Sequence, residues 1–309
     1  MFPGQGSQYV GMGRELFERF AVARSVFEEA NDALGESISR LCFAGPSETL
    51  QLTENTQPAI LTVSVAVLRV LQSEGYDAAN FFAGHSLGEY SALVAAACIP
   101  FAVAVKIVRA RGRYMQQAVP AGTGAMAAVL GATPETIYEA CLKSVRDGEE
   151  CSPANFNSPG QIVIAGHATA VDRAILWLKD NGAKRVIKLE VSAPFHCPLM
   201  LPAQEKLAHD LQAIEFADLQ RPIVSNTDAA VVRRGAAAKI ALVRQVSSPV
   251  RWQETIEVLA REHAVNTFIE IGPGKVLSGL IRQTARDVVC EHVEDIASLE
   301  KLTIGHLVR

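Results

Sequence analysis

Residues 81–90, Phe-Phe-Ala-Gly-His-Ser-Leu-Gly-Glu-Tyr, constrain this chain more tightly than any other stretch. Phe81, Phe82 and Ala83 form a short apolar run that predicts a buried strand, residues 84–88 spell Gly-x-Ser-x-Gly, and the alanine-rich run 90–97 predicts a helix. A serine on such a turn is a nucleophile elbow. Gly84 and Gly88 permit the sharp backbone, and the hydroxyl projects above the strand at the positive end of the helix. The five-residue pattern is common by itself; the strand before it and the helix after it give it weight.

With 309 residues, 49% hydrophobic and 20% charged, the chain reads as a soluble globular protein with room for one large domain and one small one. A net charge of -4 supplies no basic field, so nucleic acid is not expected as a partner. The six cysteines form no C-x-x-C pair and the seven histidines no H-E-x-x-H, which predicts reduced thiols, a cytoplasmic setting and no structural metal. The N-terminus lacks the charged start and apolar core of a secretory signal. The longest apolar run, 92–105, is interrupted by Pro100 and too short to span a bilayer, so it predicts two buried helices meeting at the proline and no membrane partner.

Strand-like runs at 80–83, 222–225 and 267–271 alternate with helical segments, predicting an α/β layered fold with a largely parallel sheet. Between 124 and 190 the pattern changes to strand 125–130, helix 134–144, strand 154–157, a Ser158-Pro159-Gly160 turn, strand 161–165, helix 168–181 and strand 185–189. That β-α-β-β-α-β order predicts a ferredoxin-like small subdomain, residues 124–190, inserted in a large discontinuous α/β domain, residues 1–123 and 191–309. The cleft between them is the expected site.

Serine needs a base. His196, in a loop flanked by Pro194 and Pro198 at the seam between the two units, is either that base or a structural histidine. His85 adjoins the serine and is expected to serve structure, while His167, His209, His263, His292 and His306 read as surface or packing residues. Plotted at 100° per residue, residues 101–117 gather Phe101, Ala104, Val105, Ile107, Val108, Gly112 and Met115 on one arc, and Arg111 falls inside it; Lys106, Arg109 and Arg113 lie opposite. A guanidinium on a buried face needs a partner, either an internal carboxylate or a substrate carboxylate received in bidentate fashion. The glycine-rich loop 2–8 lacks dinucleotide or P-loop spacing, and Gly272-Pro273-Gly274-Lys275 reads as a strand-to-helix turn because Val276 stands where Ser or Thr is required.

Residues 2–8, Asn-Thr-Gln-Pro-Ala at 55–59, 84–90, Arg111, Asn-Phe-Asn-Ser-Pro-Gly-Gln at 155–161, Pro-Phe-His at 194–196 and Glu-Ile-Gly-Pro-Gly-Lys-Val-Leu at 270–277 together resemble the malonyl-CoA:acyl carrier protein transacylases of bacterial fatty acid synthesis, over nearly the whole chain. Acyltransferase domains of polyketide synthases share these motifs. The resemblance implies an α/β-hydrolase-like large domain, a nucleophile at Ser86, a base at His196 oriented by the main-chain carbonyl of Gln245, an oxyanion hole from the N–H groups of Gln5 and Leu87, and a malonyl carboxylate clamp at Arg111. It also implies active-site roles for Asn155, Gln57 and Met115, and Phe195 before the histidine looks like the malonyl-selecting form. The substrates it implies are a coenzyme A thioester, malonyl-CoA, and holo acyl carrier protein, with no cofactor and a monomeric protein. Carrier proteins of this type are acidic, so Lys184 and Arg185 are candidates for docking. A serine thioesterase or a trans-acting polyketide acyltransferase would use the same elbow and base; a buried Arg111 disfavours a hydrolase of neutral acyl chains. Family members usually carry a short apolar strand before the first loop, whereas here Met1 directly precedes Phe2-Pro3. That strand is therefore expected to be largely missing, through a late start, trimming or dispensability, and the placement of Gln5 depends on it.

Overall fold

The computed structural model describes residues 1–120 and 122–302; His306 and the end of the 191–309 range lie outside the described residues. The fold is mixed α/β. Its strands are β1 (Gly124–Leu130), β2 (Cys151–Ser158), β3 (Gln161–His167), β4 (Arg185–Lys188), β5 (Ile223–Val224), β6 (Val231–Val232), β7 (Thr267–Ile271) and β8 (Val289–Val293).

Strands β1 to β4 form one antiparallel sheet in the order β2-β3-β1-β4, with the helices Pro134–Ser144 and Ala168–Asp180 as its two crossovers. A separate apolar cluster, including Val129, Ile137, Ile164, Val171 and Leu178, lies between this sheet and those helices. The opposite face of the two central strands is buried as well, with Met126, Val163 and Ala165 joining the main core, so these strands read as short apolar runs.

The expected parallel sheet is much reduced. Among the described residues only β7 and β8 pair as a parallel ladder, and residues 80–83 make no strand. Single parallel bridges instead join Phe2 to Gly84 and Phe82 to Ile223. The physical reason is the turn: Gly84 carries the chain out of the sheet, so pairing lasts for one or two residues on either side. Met1 and Phe2 run between two segments, with Ile271 N–H donating to Met1 O at 2.7 Å, Phe2 N–H to Ala83 O at 2.9 Å and His85 N–H to Phe2 O at 3.1 Å.

The helices Gly88–Ala95 and Phe101–Gln117 meet at Pro100, as the interrupted apolar run predicts. Phe101–Gln117 packs against the long helix Thr53–Ser73 and buries every residue of the apolar arc, Arg111 included. Arg109 corrects the arc: it is buried too, bonded to Asn55 and ion-paired with Glu36. Ala21–Leu34 packs on the same helix from another side, so its polar arc is only partly solvated. At the C-terminal end of β7, the buried Glu270 carboxylate accepts from the N–H groups of Leu277 and Ser278, at 3.0 and 2.7 Å, and anchors the helix Val276–Thr284.

The elbow is tightly enclosed. A Cβ at Gly84 would lie 1.9 Å from Gly88 O, and one at Gly88 would lie 2.1 Å from Phe2 O. Both obstacles are backbone, which no rotamer change relieves. Gly88→Ala should therefore cost about 3 kcal/mol or more by forcing the first loop away from the elbow, read as a lower urea midpoint; a midpoint equal to that of the native protein would contradict this packing.

Candidate active site

Ser86 occupies the tip of the elbow with φ 51, a left-handed conformation that non-glycine residues rarely adopt. Its backbone is held from both sides: its N–H donates to Asn226 Oδ1 at 2.7 Å, and its carbonyl accepts from Gln245 Nε2 at 3.0 Å. Asn226 follows β5, beside the elbow, and its Nδ2 donates to Gly84 O at 2.8 Å. One side chain thus braces the turn at two points.

His196, also at positive φ (60), lies in the loop after β4. Its Nε2 is 2.7 Å from Ser86 Oγ, and its Nδ1 is 2.8 Å from the main-chain oxygen of Gln245. A carbonyl can only accept, so Nδ1 carries the proton and Nε2 is left to accept from the serine hydroxyl. Burial, and then the positive charge of Arg111, push the imidazole down to about 3. It is neutral at physiological pH and available as an acceptor.

Arg111 is 2% exposed. It donates to Gln57 Oε1 at 2.6 Å, to Gln245 Oε1 at 2.9 Å and to Ser86 Oγ at 3.1 Å, and its carbon lies 5.6 Å from the centre of the Tyr90 ring. Among the described residues it has no carboxylate partner within ion-pair distance, so the internal salt bridge allowed by the sequence is not formed. Its Nε has no acceptor among the described residues.

A small cavity of about 120 Å³ opens on these groups. Gln5, Leu87, Asn155, Phe195, Met115 and Gln57 line it together with Ser86, His196 and Arg111, and Met126, Leu189 and Val191 close its other side. No acceptor among the described residues takes the main-chain N–H of Gln5 or Leu87. Gln5 Oε1 accepts from Thr53, while Gln57 Nε2 donates to Thr53 and approaches Met115 sulfur, so the Gln5 loop is tied to the helix carrying Gln57. His85 also borders the cavity, with its Nε2 2.9 Å from Asn157 Oδ1 and its ring edge-on to Trp252. A larger cleft of about 570 Å³, between 76–83 and 263–269, contains none of Ser86, His196 or Arg111.

Lys184 and Arg185 are not brought to the cavity. Both are exposed at the start of β4, where Arg185 pairs with Leu130. The strand approaches the site at Leu189, four to five residues on, or about 13–16 Å away. Three groups were not legible in the sequence reading: Asn226, Glu89 and the side chain of Gln245. Asn226 carried one signal, its place just past a strand end in the same layer as the elbow. Glu89 and Gln245 show their importance only through mutual contact, Gln245 Nε2 donating to Glu89 Oε2 at 2.7 Å.

A hydroxyl that can give up its proton beside a fixed cation can take an acyl group and later surrender it, chemistry that acyltransferases share with serine hydrolases. The chain belongs to the acyl transferase domain family, whose sequence profile matches residues 1–306. It is 49% identical over 300 residues to the malonyl CoA-acyl carrier protein transacylase of Bacillus subtilis (strain 168), covering 97% of this chain and 94% of that protein, and 49% identical over 283 residues to that of Escherichia coli (strain K12), covering 92% and 91%. Among solved structures, an acyl carrier protein S-malonyltransferase from Vibrio cholerae superposes with a TM-score of 0.95 at 48% identity, covering 98% of each chain. A malonyl-transacylase solved in complex with its type II PKS acyl-carrier protein superposes at 0.94 and 49% identity, covering 97% of this chain and 96% of that one.

The position of the His196 equilibrium sets a pH expectation. A base is active above its pKa and lost as pH falls through it, so acylation by malonyl-CoA that uses this imidazole should retain at least half its pH 7 rate constant at pH 5. An imidazole at its ordinary value would leave only about 3% in the neutral form there. Rapid-quench rates with an acid limb near pH 6.5 would contradict the buried neutral histidine.

Proposed function

We propose that this protein moves the malonyl group of malonyl-CoA to the phosphopantetheine thiol of holo acyl carrier protein through a malonyl ester on Ser86. The observation that carries the reading is Arg111: a buried guanidinium without a carboxylate partner, 3.1 Å from the serine hydroxyl. An unpaired buried charge costs several kcal/mol. A substrate carboxylate two carbons from the reacting carbonyl would supply the missing partner.

In the first half-reaction His196 Nε2 takes the proton of Ser86 as Oγ attacks the thioester carbonyl. The charge developing on the carbonyl oxygen is received by the N–H groups of Gln5 and Leu87; both residues line the cavity, and neither N–H has an acceptor among the described residues. The tetrahedral adduct collapses, the C–S bond breaks, and the thiolate leaves with the proton held by His196. In the second half-reaction the carrier thiol gives its proton to His196, attacks the ester, and Ser86 recovers its hydrogen. The Gln245 carbonyl fixes the ring through both halves, so no carboxylate is needed behind the histidine.

Asn155, Gln57, Met115 and Phe195 shape the acyl pocket, and its small volume suits a short acyl group. The β2-β3-β1-β4 order supports a ferredoxin-like reading of 124–190, seated on an α/β-hydrolase-like unit made of 1–123 and 191–309. Six free thiols support a reducing, cytoplasmic setting. Among the described residues no helix is long and apolar enough to cross a membrane.

Arg111→Ala should lower kcat/KM for malonyl-CoA by the value of a buried charge-assisted fork, about 2–5 kcal/mol, or roughly 30-fold to several thousandfold, while acetyl-CoA loses far less. Arg111→Lys should recover only part, because an ammonium cannot form the paired bonds. The malonyl over acetyl ratio is the quantity to measure, since damage to the serine and histidine cancels in it. An unchanged ratio would reduce Arg111 to a structural cation.

A further inference from the structure

The mechanism leaves one buried ionisable group unused. Glu89 stands in the first turn of the helix that follows Ser86 and is 1% exposed. Its Oε2 accepts from the Asn226 N–H at 3.1 Å and from Gln245 Nε2 at 2.7 Å, and its Oε1 has no partner among the described residues. Gln245 turns its other end to Arg111, with Oε1 2.9 Å from Nη2. Glu89 and Arg111 are therefore opposite charges separated by one amide, in an interior that screens poorly.

We propose that Glu89 is a positioning residue acting through Gln245 and Arg111, and that it takes up a proton when the substrate carboxylate docks on the guanidinium. The proposal rests on the reading of Arg111 as the carboxylate clamp. In the empty site the Arg111 charge favours ionised Glu89, which draws the Gln245 nitrogen inward and so turns the amide oxygen toward Arg111. A docked malonyl carboxylate satisfies Arg111 and adds a like charge a few ångströms further on. Both effects disfavour a charged Glu89. The proton has a place: on Oε1 it leaves Oε2 accepting from Gln245 and Asn226 as before, so Arg111 stays aimed while the buried negative charge is removed.

The other charged groups do not replace Arg111 in this role. Asp228, beyond β5, raises the Glu89 equilibrium but is paired with Arg244 at 3.0 Å. His196 and His85 are both pushed toward the neutral form by burial, and the Tyr90 phenol is pushed up to about 12. Burial raises Glu89 to about 7, against the pull of Asn226, Gln245 and Arg111. A further rise on docking is thus read near physiological pH. Binding linked to proton uptake is favoured below the pKa of the occupied site and weakens as pH rises through it.

Acyl transfer from a thioester to a serine conserves protons apart from ionisation of the released thiol, which is the same for malonyl-CoA and acetyl-CoA. The test is proton exchange, followed with an indicator dye in weak buffer at pH 7.5 and normalised to ester formed by intact mass. For a shift of about one pKa unit, malonyl-CoA should draw in about half a proton more per acylated site than acetyl-CoA. The malonyl over acetyl ratio of kcat/KM should fall by up to about tenfold between pH 6 and pH 9. In Glu89→Gln, whose amide imitates the protonated acid, the excess uptake and the pH dependence of the ratio should both vanish. Equal proton exchange for the two acyl groups in the native protein overturns the proposal, as does excess uptake that survives in Glu89→Gln. The clamp reading fails separately: it is lost if Arg111→Ala keeps the native ratio, and it stands if that ratio collapses while no excess proton is found.

Discussion

The left-handed backbone of Ser86 is the constraint around which this site is built. A serine at φ 51 is an unfavourable residue that persists only where its neighbours over-determine it. Here Asn226 takes its N–H, Gln245 donates to its carbonyl, the first loop presses on Gly88, and Gly88 in turn leaves no room at Gly84. Strain of order 1–3 kcal/mol is offset by charge-free hydrogen bonds from two different elements, so the hydroxyl needs no mobile loop to aim it.

Gln245 joins functions that a triad would divide among three residues. Its main-chain oxygen sets the His196 tautomer, its amide nitrogen braces Ser86 and reaches Glu89, and its amide oxygen meets Arg111. Replacing a carboxylate by a carbonyl behind the histidine has an electrostatic consequence. An anion there would stabilise imidazolium and attract Arg111, whereas a carbonyl orients the ring without competing for the guanidinium. The cation is left available to a ligand, which is the condition for selecting an acidic acyl group.

Much of this was legible before any coordinates. The elbow could be read because its strand, turn and helix are contiguous, and Arg111 because a single cation inside an apolar arc is a conflict that periodicity exposes. The strands of 124–190 were readable as short apolar runs between turn residues, because β1 and β3 bury one face against their own helices and the other against the main core. The central sheet was overread: pairing at Phe2, Phe82 and Gly84 amounts to isolated bridges, and apolar runs do not reveal where a turn cuts a strand short. Arg109 was misplaced because one helix meets partners on two sides, which a single moment cannot describe. Asn226 and Glu89 lie 137 residues apart in sequence and acquire meaning only when the fold brings them into hydrogen-bond contact.

The central claim is that Ser86 carries the acyl group between two thiols. It is tested most directly by mixing the protein with malonyl-CoA, quenching, digesting and locating the added mass by peptide fragmentation, then chasing a parallel sample with holo acyl carrier protein. The account predicts a single malonyl ester on the peptide containing Ser86, removed on the chase with equal malonyl appearing on the carrier. An adduct on another residue, or an ester lost to water at the same rate with and without carrier, would contradict it.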